Sequence, residues 1–383
     1  MRATTLMILP FLGAVLGYDA DIEGPWDIEL QDDGPNSCHP WQDTFEKAYE
    51  EAAKMVAKVQ TDIQVATAGR PGVTRSGDIS RVVDWDRIDR NLHVIFGVRP
   101  DFSGKIDATY LNDINFVWKK MGSMFKGSVN NPERGYSGKF DKPAIACGEK
   151  GWRYIGPDDN SPDRAPGTPL RDAHPQYATT GVWYWNRRFA WYDSSTKQSV
   201  GICGQNVAGV TSVYHDLVTF CESSLGKSNQ KFVADDKSNI KLHDHIDDFG
   251  QNALSRTIVH EFAHYHGFGG FSSGPNPTRV IDVQAVNANG DWVYVANGKT
   301  TTDPGPDDNK NPAYDTYFWR YVSNLAQVFM SPDPAADRSG PKKTTHSAES
   351  FAYFALVSYL DNWDWSTDGK ARPLPTRRDQ IHE

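Results

Sequence analysis

The sequence lacks several features that would define a class of protein. It has no surplus of basic residues, since 40 lysines and arginines stand against 49 acidic residues, for a formal net charge of −9. Proteins that follow a phosphate backbone bind through basic side chains, so this balance argues against nucleic-acid binding. No apolar run approaches the roughly 18 residues of a membrane span. Internal repeats and low-complexity tracts are also absent, which argues against repeat and fibrous proteins.

The first 17 residues have the features of a secretory signal peptide. Arg2 supplies a positive charge, and an apolar stretch follows it from residue 6 to residue 16. Small or modest side chains then occupy the −3 and −1 positions of a cleavage site before Tyr18. The alternative interpretation is a buried N-terminal helix. We expect residues 1–17 to be a signal peptide and the protein to be secreted and extracellular.

Cysteine is scarce, because the chain contains only Cys38, Cys147, Cys203 and Cys221. No CxxC spacing occurs among them, so a zinc-binding cysteine cluster is the weaker interpretation. An even number of cysteines in an oxidising compartment predicts disulfide bonds. We therefore expect two disulfides, with three possible pairings left open.

The hydrophobic pattern predicts helices towards both ends of the chain and strands between them. From residue 44 to residue 68 apolar side chains recur every three or four residues, and glycine and proline follow. Further helices are predicted at about residues 85–96, 108–125, 251–266, 314–329 and 348–361. Strands are predicted at residues 144–147, 181–192 and 212–220.

These elements predict an α+β fold, mainly helical with a small sheet. No composition shift marks a linker, so one domain with insertions is favoured, and we place it at residues 41–366. Residues 18–40 are acidic and aperiodic and contain glycine and proline, which predicts a flexible lead or a short pro-segment. Residues 367–383 are predicted to be a flexible C-terminal tail.

The motif with the clearest chemistry is HExxH, formed by His260, Glu261 and His264. In a helix, residues four apart project from the same face one turn apart, so both imidazoles can bind one zinc ion. Zinc lowers the pKa of a bound water to about 7, and Glu261 can accept its proton as general base. An apolar stripe through the motif and a glycine after it support the helix. The alternative is a pair of surface histidines on an ordinary helix.

A catalytic zinc site needs a third protein ligand and leaves the fourth position open. In HExxHxxGxxH proteins this ligand follows the second histidine by six residues, where this chain has Gly270. His266 points to another face of the helix. Glu349, on the last predicted helix, lacks the acidic neighbour usual beside a distant glutamate ligand. Aspartates in the loop after the motif remain as candidates.

With these residues the chain resembles the fungal secreted zinc peptidases called deuterolysins or aspzincins, which include the lysine-specific metallo-endopeptidases. The most distinctive segments of the likeness are residues 219–221, 255–264, 313–326 and 347–355. The resemblance implies a zincin-like fold and one zinc ion per chain. It also implies an aspartate as the third ligand and a tyrosine that stabilises the tetrahedral intermediate.

The chain departs from the family pattern, in which the aspartate lies a few residues before a Tyr-Gly pair. Tyr314 is followed by Asp315 instead of glycine, and Asn311 stands three residues before Tyr314. Divergent relatives carry the aspartate in a short β-branched run, which Asp282 matches. The resemblance therefore implies Asp282 as third ligand, Asp308 as second choice, and Tyr314 as the residue that stabilises the oxyanion. The alternative for Asp282 is a solvated carboxylate at a strand end.

These expectations describe a secreted zinc metalloendopeptidase that hydrolyses peptide bonds in protein or peptide substrates. We expect a monomer without nucleic-acid or membrane partners. A second hypothesis is a non-catalytic zinc-binding secreted antigen or effector on the same fold. Glu261 favours the enzyme, because metal binding alone does not need that carboxylate. A weaker third hypothesis is a carbohydrate-binding protein, based on the aromatic residues at 183–185 and 191–192.

Overall fold

The computed structural model combines helices with several small sheets, so the predicted α+β class is confirmed. It describes residues 20–72, 79–98, 108–126, 139–190, 201–204, 207–226, 231–269, 279–307, 309–328 and 338–375. The predicted signal peptide, residues 1–17, lies outside these ranges. None of the helices in the described ranges combines the length and apolarity that a bilayer crossing requires.

The helices, in chain order, are α1 (Gln42–Thr67), α2 (Ile79–Phe96), α3 (Ala108–Phe125), α4 (Leu170–Ala173), α5 (Glu222–Leu225), α6 (Val233–Asp236), α7 (Ile246–Gly250), α8 (Leu254–His266), α9 (Trp319–Ala326), α10 (Pro341–Thr344) and α11 (Ala348–Tyr359). Short 3-10 helices cover His39–Trp41, Pro175–Tyr177 and Val213–His215. The long helices occupy the two ends of the chain, as the periodicity predicted.

The strands are β1 (Ala144–Cys147), β2 (Arg153–Ile155), β3 (Val182–Trp185), β4 (Arg188–Ala190), β5 (Gly209–Ser212), β6 (Leu217–Phe220), β7 (Tyr294–Ala296), β8 (Lys299–Thr301), β9 (Trp363–Asp364) and β10 (Arg372–Pro373). In the main sheet β6 lies between β1, to which it is parallel, and β5, to which it is antiparallel. Strands β2, β3 and β4 form an antiparallel sheet. Strands β7 and β8 form a hairpin, and β9 pairs with β10.

Four helices, α1, α3, α8 and α11, contribute most of the large core. The apolar positions predicted on one face of α1 are buried, and Tyr49 from this face contacts Phe125 of α3 and Phe262 of α8. Helix α11 is apolar on all sides and is buried along its length except at its last residue, as expected for a helix surrounded by others. Helix α8 is therefore packed on its apolar side and held in one orientation.

The segment before α1 is not a flexible lead, so the prediction for residues 18–40 was wrong over its described part. Asp27 pairs with Ala144 and extends the main sheet beyond β1. Trp26 is 1% exposed and stacks on Phe262 of α8, with ring centroids 4.8 Å apart. The acidic, aperiodic composition suggested flexibility, but Ile22, Trp26 and Leu30 are buried in the helical core.

Two other predictions need correction. Residues 367–383 are not wholly a flexible tail, because β10 pairs with β9 and Ala371 is fully buried; residues 376–383 lie outside the described ranges. The helix predicted from residue 314 begins only at Trp319. The residues before it are extended because their backbone pairs with the segment after Asp282, for example from Thr316 N to Val283 O at 3.1 Å.

The two expected disulfides are present. Cys38 is bonded to Cys147, which ties the segment before α1 to strand β1. Cys203 is bonded to Cys221, which closes a loop across the end of strand β6.

Candidate metal centre

Helix α8 brings the two histidines of the motif together. Its apolar side chains are buried in the helical core, and this turns His260 and His264 towards the partly exposed opposite side. The two Nε2 atoms lie 3.1 Å apart. Because a spacing of four residues corresponds to about one helical turn, local structure alone accounts for this proximity.

Asp282 completes a group of three side chains. Its Oδ1 lies 3.1 Å from Nε2 of His260 and 3.4 Å from Nε2 of His264. Ligands that bind zinc at about 2.0–2.1 Å with tetrahedral angles are about 3.3 Å from one another. The three atoms therefore have the spacing that a tetrahedral ion requires, and the group could hold a metal ion.

Asp282 reaches the histidines because the backbone before it is held from two sides. Ile281 donates to His346 O and accepts from Ala348 N, at 2.8 and 3.1 Å, so it lies beside the start of α11. On the other side, Nδ1 of His264 is 3.0 Å from the carbonyl oxygen of Val280. A hydrogen bond at this nitrogen keeps Nε2 free as a metal donor.

Glu349 lies behind His260 and is not part of the three-residue group. Its Oε1 is 3.4 Å from Nδ1 of His260, on the side of the ring away from Asp282. Its Oε2 accepts a 2.6 Å hydrogen bond from Arg256. Burial opposes the charge of Glu349, but Arg256 and His260 outweigh it and lower the pKa of the carboxyl group. An ionised Glu349 can orient the His260 ring and increase its basicity as a ligand.

The ligand group is electrostatically complementary. Burial disfavours a charged His260, yet Asp282 and Glu349 raise its pKa well above 6.5. Asp282 raises the pKa of His264 in the same way. Burial likewise opposes an ionised Asp282, but His264 and His260 lower its pKa well below 3.8. The site therefore attracts positive charge, and a divalent cation can replace the protons on the two imidazoles.

Glu261 lies next to the group and is held by strand β5. The hydroxyl of Thr211 donates a 2.7 Å hydrogen bond to Oε2 of Glu261. Gly209 leaves room for the carboxylate, since a Cβ at this position would lie 2.7 Å from its atoms. Burial raises the pKa of Glu261 above 4.5, although His260 and His264 act in the opposite direction. A carboxylate of raised basicity suits proton transfer near neutral pH.

Sequence reasoning missed Gly209 and Thr211, because the strand was predicted to begin at residue 212. Nothing in the local pattern marks β5 as a neighbour of the motif. The pairing with β6, which brings Ser212 opposite Leu217, places β5 across α8.

Tyr314 makes its described ring contacts with Tyr317 and Tyr321, and none of its described contacts is with His260, His264 or Asp282. Tyr317 lies closer to the charged groups, and its hydroxyl donates to Oδ2 of Asp315 at 3.2 Å. Burial and the nearby charge of Asp282 raise the pKa of Asp315 to about 6. Tyr317 N donates to Asp315 O at 2.9 Å, so the two residues flank a tight turn. No short pattern in the sequence marks this turn.

Of the remaining candidates, His266 does not join the group. His266 is 2% exposed, and burial lowers its pKa to about 3, so it is a neutral core histidine. Asp308 lies outside the described residues. Trp183 and Trp185 pack around Trp152 and Ala190 in a small core cluster, and residues 191–192 lie outside the described ranges.

Comparisons of the chain with protein-family models, with curated proteins and with solved structures found no match. Membership of a peptidase family therefore stays a prediction.

Proposed function

We propose that the protein is a secreted zinc-dependent endopeptidase of the deuterolysin type, with a zincin-like fold. The observation that carries the proposal is the position of Glu261, beside a metal-binding group on one side and an open strand edge on the other. His260, His264 and Asp282 would hold the ion. Two imidazoles and one carboxylate match the donor set that zinc takes in catalytic sites.

The outer edge of β5 supports a peptide as substrate, because among the described strands β5 pairs only with β6. Cys221 N donates to Ala208 O, at 2.9 Å, and antiparallel pairs alternate, so residues 210 and 212 also point their backbone groups towards β6. The backbone groups of Gly209 and Thr211 therefore point away from the sheet. Among the described hydrogen bonds none uses them. An extended peptide can bind there as an added strand, with one of its peptide bonds beside Glu261.

In the proposed reaction, each residue near the metal-binding group has a separate role. Zinc, when bound, supplies a Lewis acid that acidifies water and polarises a carbonyl group. Glu261 accepts the proton of the attacking water, and Thr211 holds its carboxylate in place. Tyr314 is the hydroxyl predicted to stabilise the developing negative charge, and Tyr317 is a second candidate because it lies beside Asp315.

Secretion is part of the proposal. Two disulfides, Cys38–Cys147 and Cys203–Cys221, support it, since such bonds persist in oxidising compartments.

Replacement of Glu261 by glutamine tests the enzyme against a protein that only binds metal. Glu261→Gln keeps the size of the side chain and leaves the three ligands unchanged, but it removes the proton acceptor. We expect hydrolysis of a denatured protein substrate to fall at least about 100-fold, while zinc stays at about one ion per chain. Activity is measured with a quenched fluorescent protein substrate, and zinc by elemental analysis.

A matched control is Glu222→Gln, because the side chain of Glu222 is exposed and pairs with Lys150. This variant should keep full activity. A wild-type protein that binds zinc but cleaves no member of a broad peptide library would contradict the endopeptidase and favour the zinc-binding effector. Loss of zinc from a folded wild-type protein under mild dialysis would contradict both the endopeptidase and the zinc-binding effector.

A further inference from the structure

The outer edge of β5 and the metal-binding group beside it form the proposed peptide site, which we call the candidate cleft. A cationic side chain, Arg279, lies beyond the end of this strand. Arg279 donates a hydrogen bond to the hydroxyl of Tyr214. Its guanidinium group lies 4.8 Å from the ring centre of Tyr214 and 6.0 Å from that of Phe268. The two rings contact each other edge to face, with centroids 5.2 Å apart. Arg279 thus lies against both aromatic rings and remains exposed.

The position of Arg279 relates it to the strand edge. Tyr214 follows the end of β5 by two residues, and Phe268 follows the end of α8. Arg279 itself is three residues before Asp282, and its carbonyl oxygen lies 2.9 Å from Nδ1 of His346. The contact between Arg279 and Tyr214 therefore joins the strand side of the cleft to the side that carries Asp282.

A peptide added to β5 runs towards this contact. Gly209 lies beside Glu261, and each strand residue advances the chain by about 3.3 Å. The substrate residue that reaches Arg279 is therefore about three or four residues from the bond beside Glu261. Within the described ranges no carboxylate forms an ion pair with Arg279, so its charge is available to a ligand.

We propose that Arg279, held against Tyr214 and Phe268 beyond the end of β5, binds a carboxylate of an extended peptide and makes the protein prefer substrates with an acidic residue there. The inference rests on the proposed peptidase function. A guanidinium that is already oriented loses little freedom on binding and presents paired donors to a carboxylate. The carboxylates of Asp282 and Glu349 lie at the metal-binding group, so the preference for an acidic residue applies at the Arg279 end of the cleft.

The test compares pairs of peptides that differ by Glu or Gln at one position, two to five residues from the cleaved bond on either side. Wild type should cleave the best Glu peptide about 10-fold more efficiently than its Gln partner. Arg279→Gln should abolish the difference, and Arg279→Glu should make the Gln peptide the better substrate of each pair. Arg153→Gln is the matched control, since Arg153 also stacks on a tyrosine, Tyr184, but in the separate β2–β3–β4 sheet.

The same peptides are also bound to the Glu261→Gln variant and measured by fluorescence anisotropy. Selective binding that depends on Arg279, without cleavage by wild type, would support the anion site and contradict the peptidase. Cleavage without a Glu preference, or a preference that survives Arg279→Gln, would overturn the inference and leave the peptidase intact. Peptides with free and amidated C-termini separate the two sources of a carboxylate: a preference only for the free terminus would overturn recognition of an acidic residue.

Discussion

At the scale of single residues, the main question is whether Asp282 is the third metal ligand. Loss of a group that hydrogen-bonds to a metal ligand lowers metal affinity about 10–100-fold. Loss of a residue that binds the metal directly should lower the affinity at least as much. We therefore expect Asp282→Ala to lose zinc at least about 100-fold more readily than wild type in a chelator titration. Its unfolding temperature without metal is measured alongside, because Asp282 also pairs with His260 and His264 in the metal-free protein. The informative outcome is a variant that remains folded but has lost zinc.

Asp308→Ala is the matched comparison, as the second choice for the third ligand. It should keep zinc with nearly wild-type affinity. The opposite result, in which Asp308→Ala loses the metal and Asp282→Ala keeps it, would show that Asp282 is not the third ligand. The family pattern, with an aspartate a few residues before the tyrosine, would then identify the ligand correctly.

His215 gives a prediction about pH. Its Nε2 lies 2.9 Å from the hydroxyl of Tyr177, and burial lowers its pKa to about 4, from 6.5 in an exposed histidine. Above pH 6.5 the histidine is neutral in both the folded and the unfolded chain. As the pH falls from 6.5 to 4, only the unfolded chain takes up the proton, so stability decreases.

Compared with His215→Gln, wild type should therefore lose up to about 3 kcal/mol of unfolding free energy between pH 7 and pH 4. Urea unfolding of both proteins at several pH values measures this difference. The other titrating groups contribute equally to the two proteins, so their effects cancel in the difference between the unfolding free energies. An equal pH dependence in the two proteins would show that His215 becomes protonated inside the fold.

At the scale of secondary structure, the segment before α1 acts as an extra strand and a cover for α8. Trp26 of this segment packs on α8, the helix that carries the motif, and contacts Phe262 and Tyr265. Trp26→Ala should cost about 3–5 kcal/mol, as expected for a buried tryptophan replaced in a core. Trp183→Ala, at a half-buried tryptophan of the separate β2–β3–β4 sheet, should cost less.

Urea unfolding measures both variants. Removal of residues 18–38 with no loss of stability would contradict this account and restore the interpretation as a pro-segment.

At the scale of the whole molecule, the two disulfides close loops of very different length. Cys38 and Cys147 are 109 residues apart, and Cys203 and Cys221 are 18 apart. If the bonds act mainly by restricting the unfolded chain, the first should contribute about 5 kcal/mol and the second about 3 kcal/mol. Replacing each pair by alanines and measuring urea unfolding should therefore show the larger loss for Cys38 and Cys147. An equal loss, or the reverse order, would indicate that local packing around each bond outweighs chain entropy.

Much of the framework could be predicted because it depends on local spacing. Apolar side chains every three or four residues identify α1, and the HExxH spacing places His260 and His264 on one face of α8 wherever that helix lies. The number of disulfides followed from composition, but their pairing did not. Asp282 was chosen through a family resemblance, and no rule of local structure would have selected it.

The sequence by itself determined the helices, the pair of histidines and Glu261, because periodicity and helical geometry act within one or two turns. Only the tertiary structure decided which carboxylate meets the histidines. Asp282 reaches them because Ile281 pairs with residues beside α11, and Glu349 reaches the back of His260 because α11 packs on α8. These contacts join residues far apart in the chain, so they depend on the packing of the whole core, which no short pattern encodes.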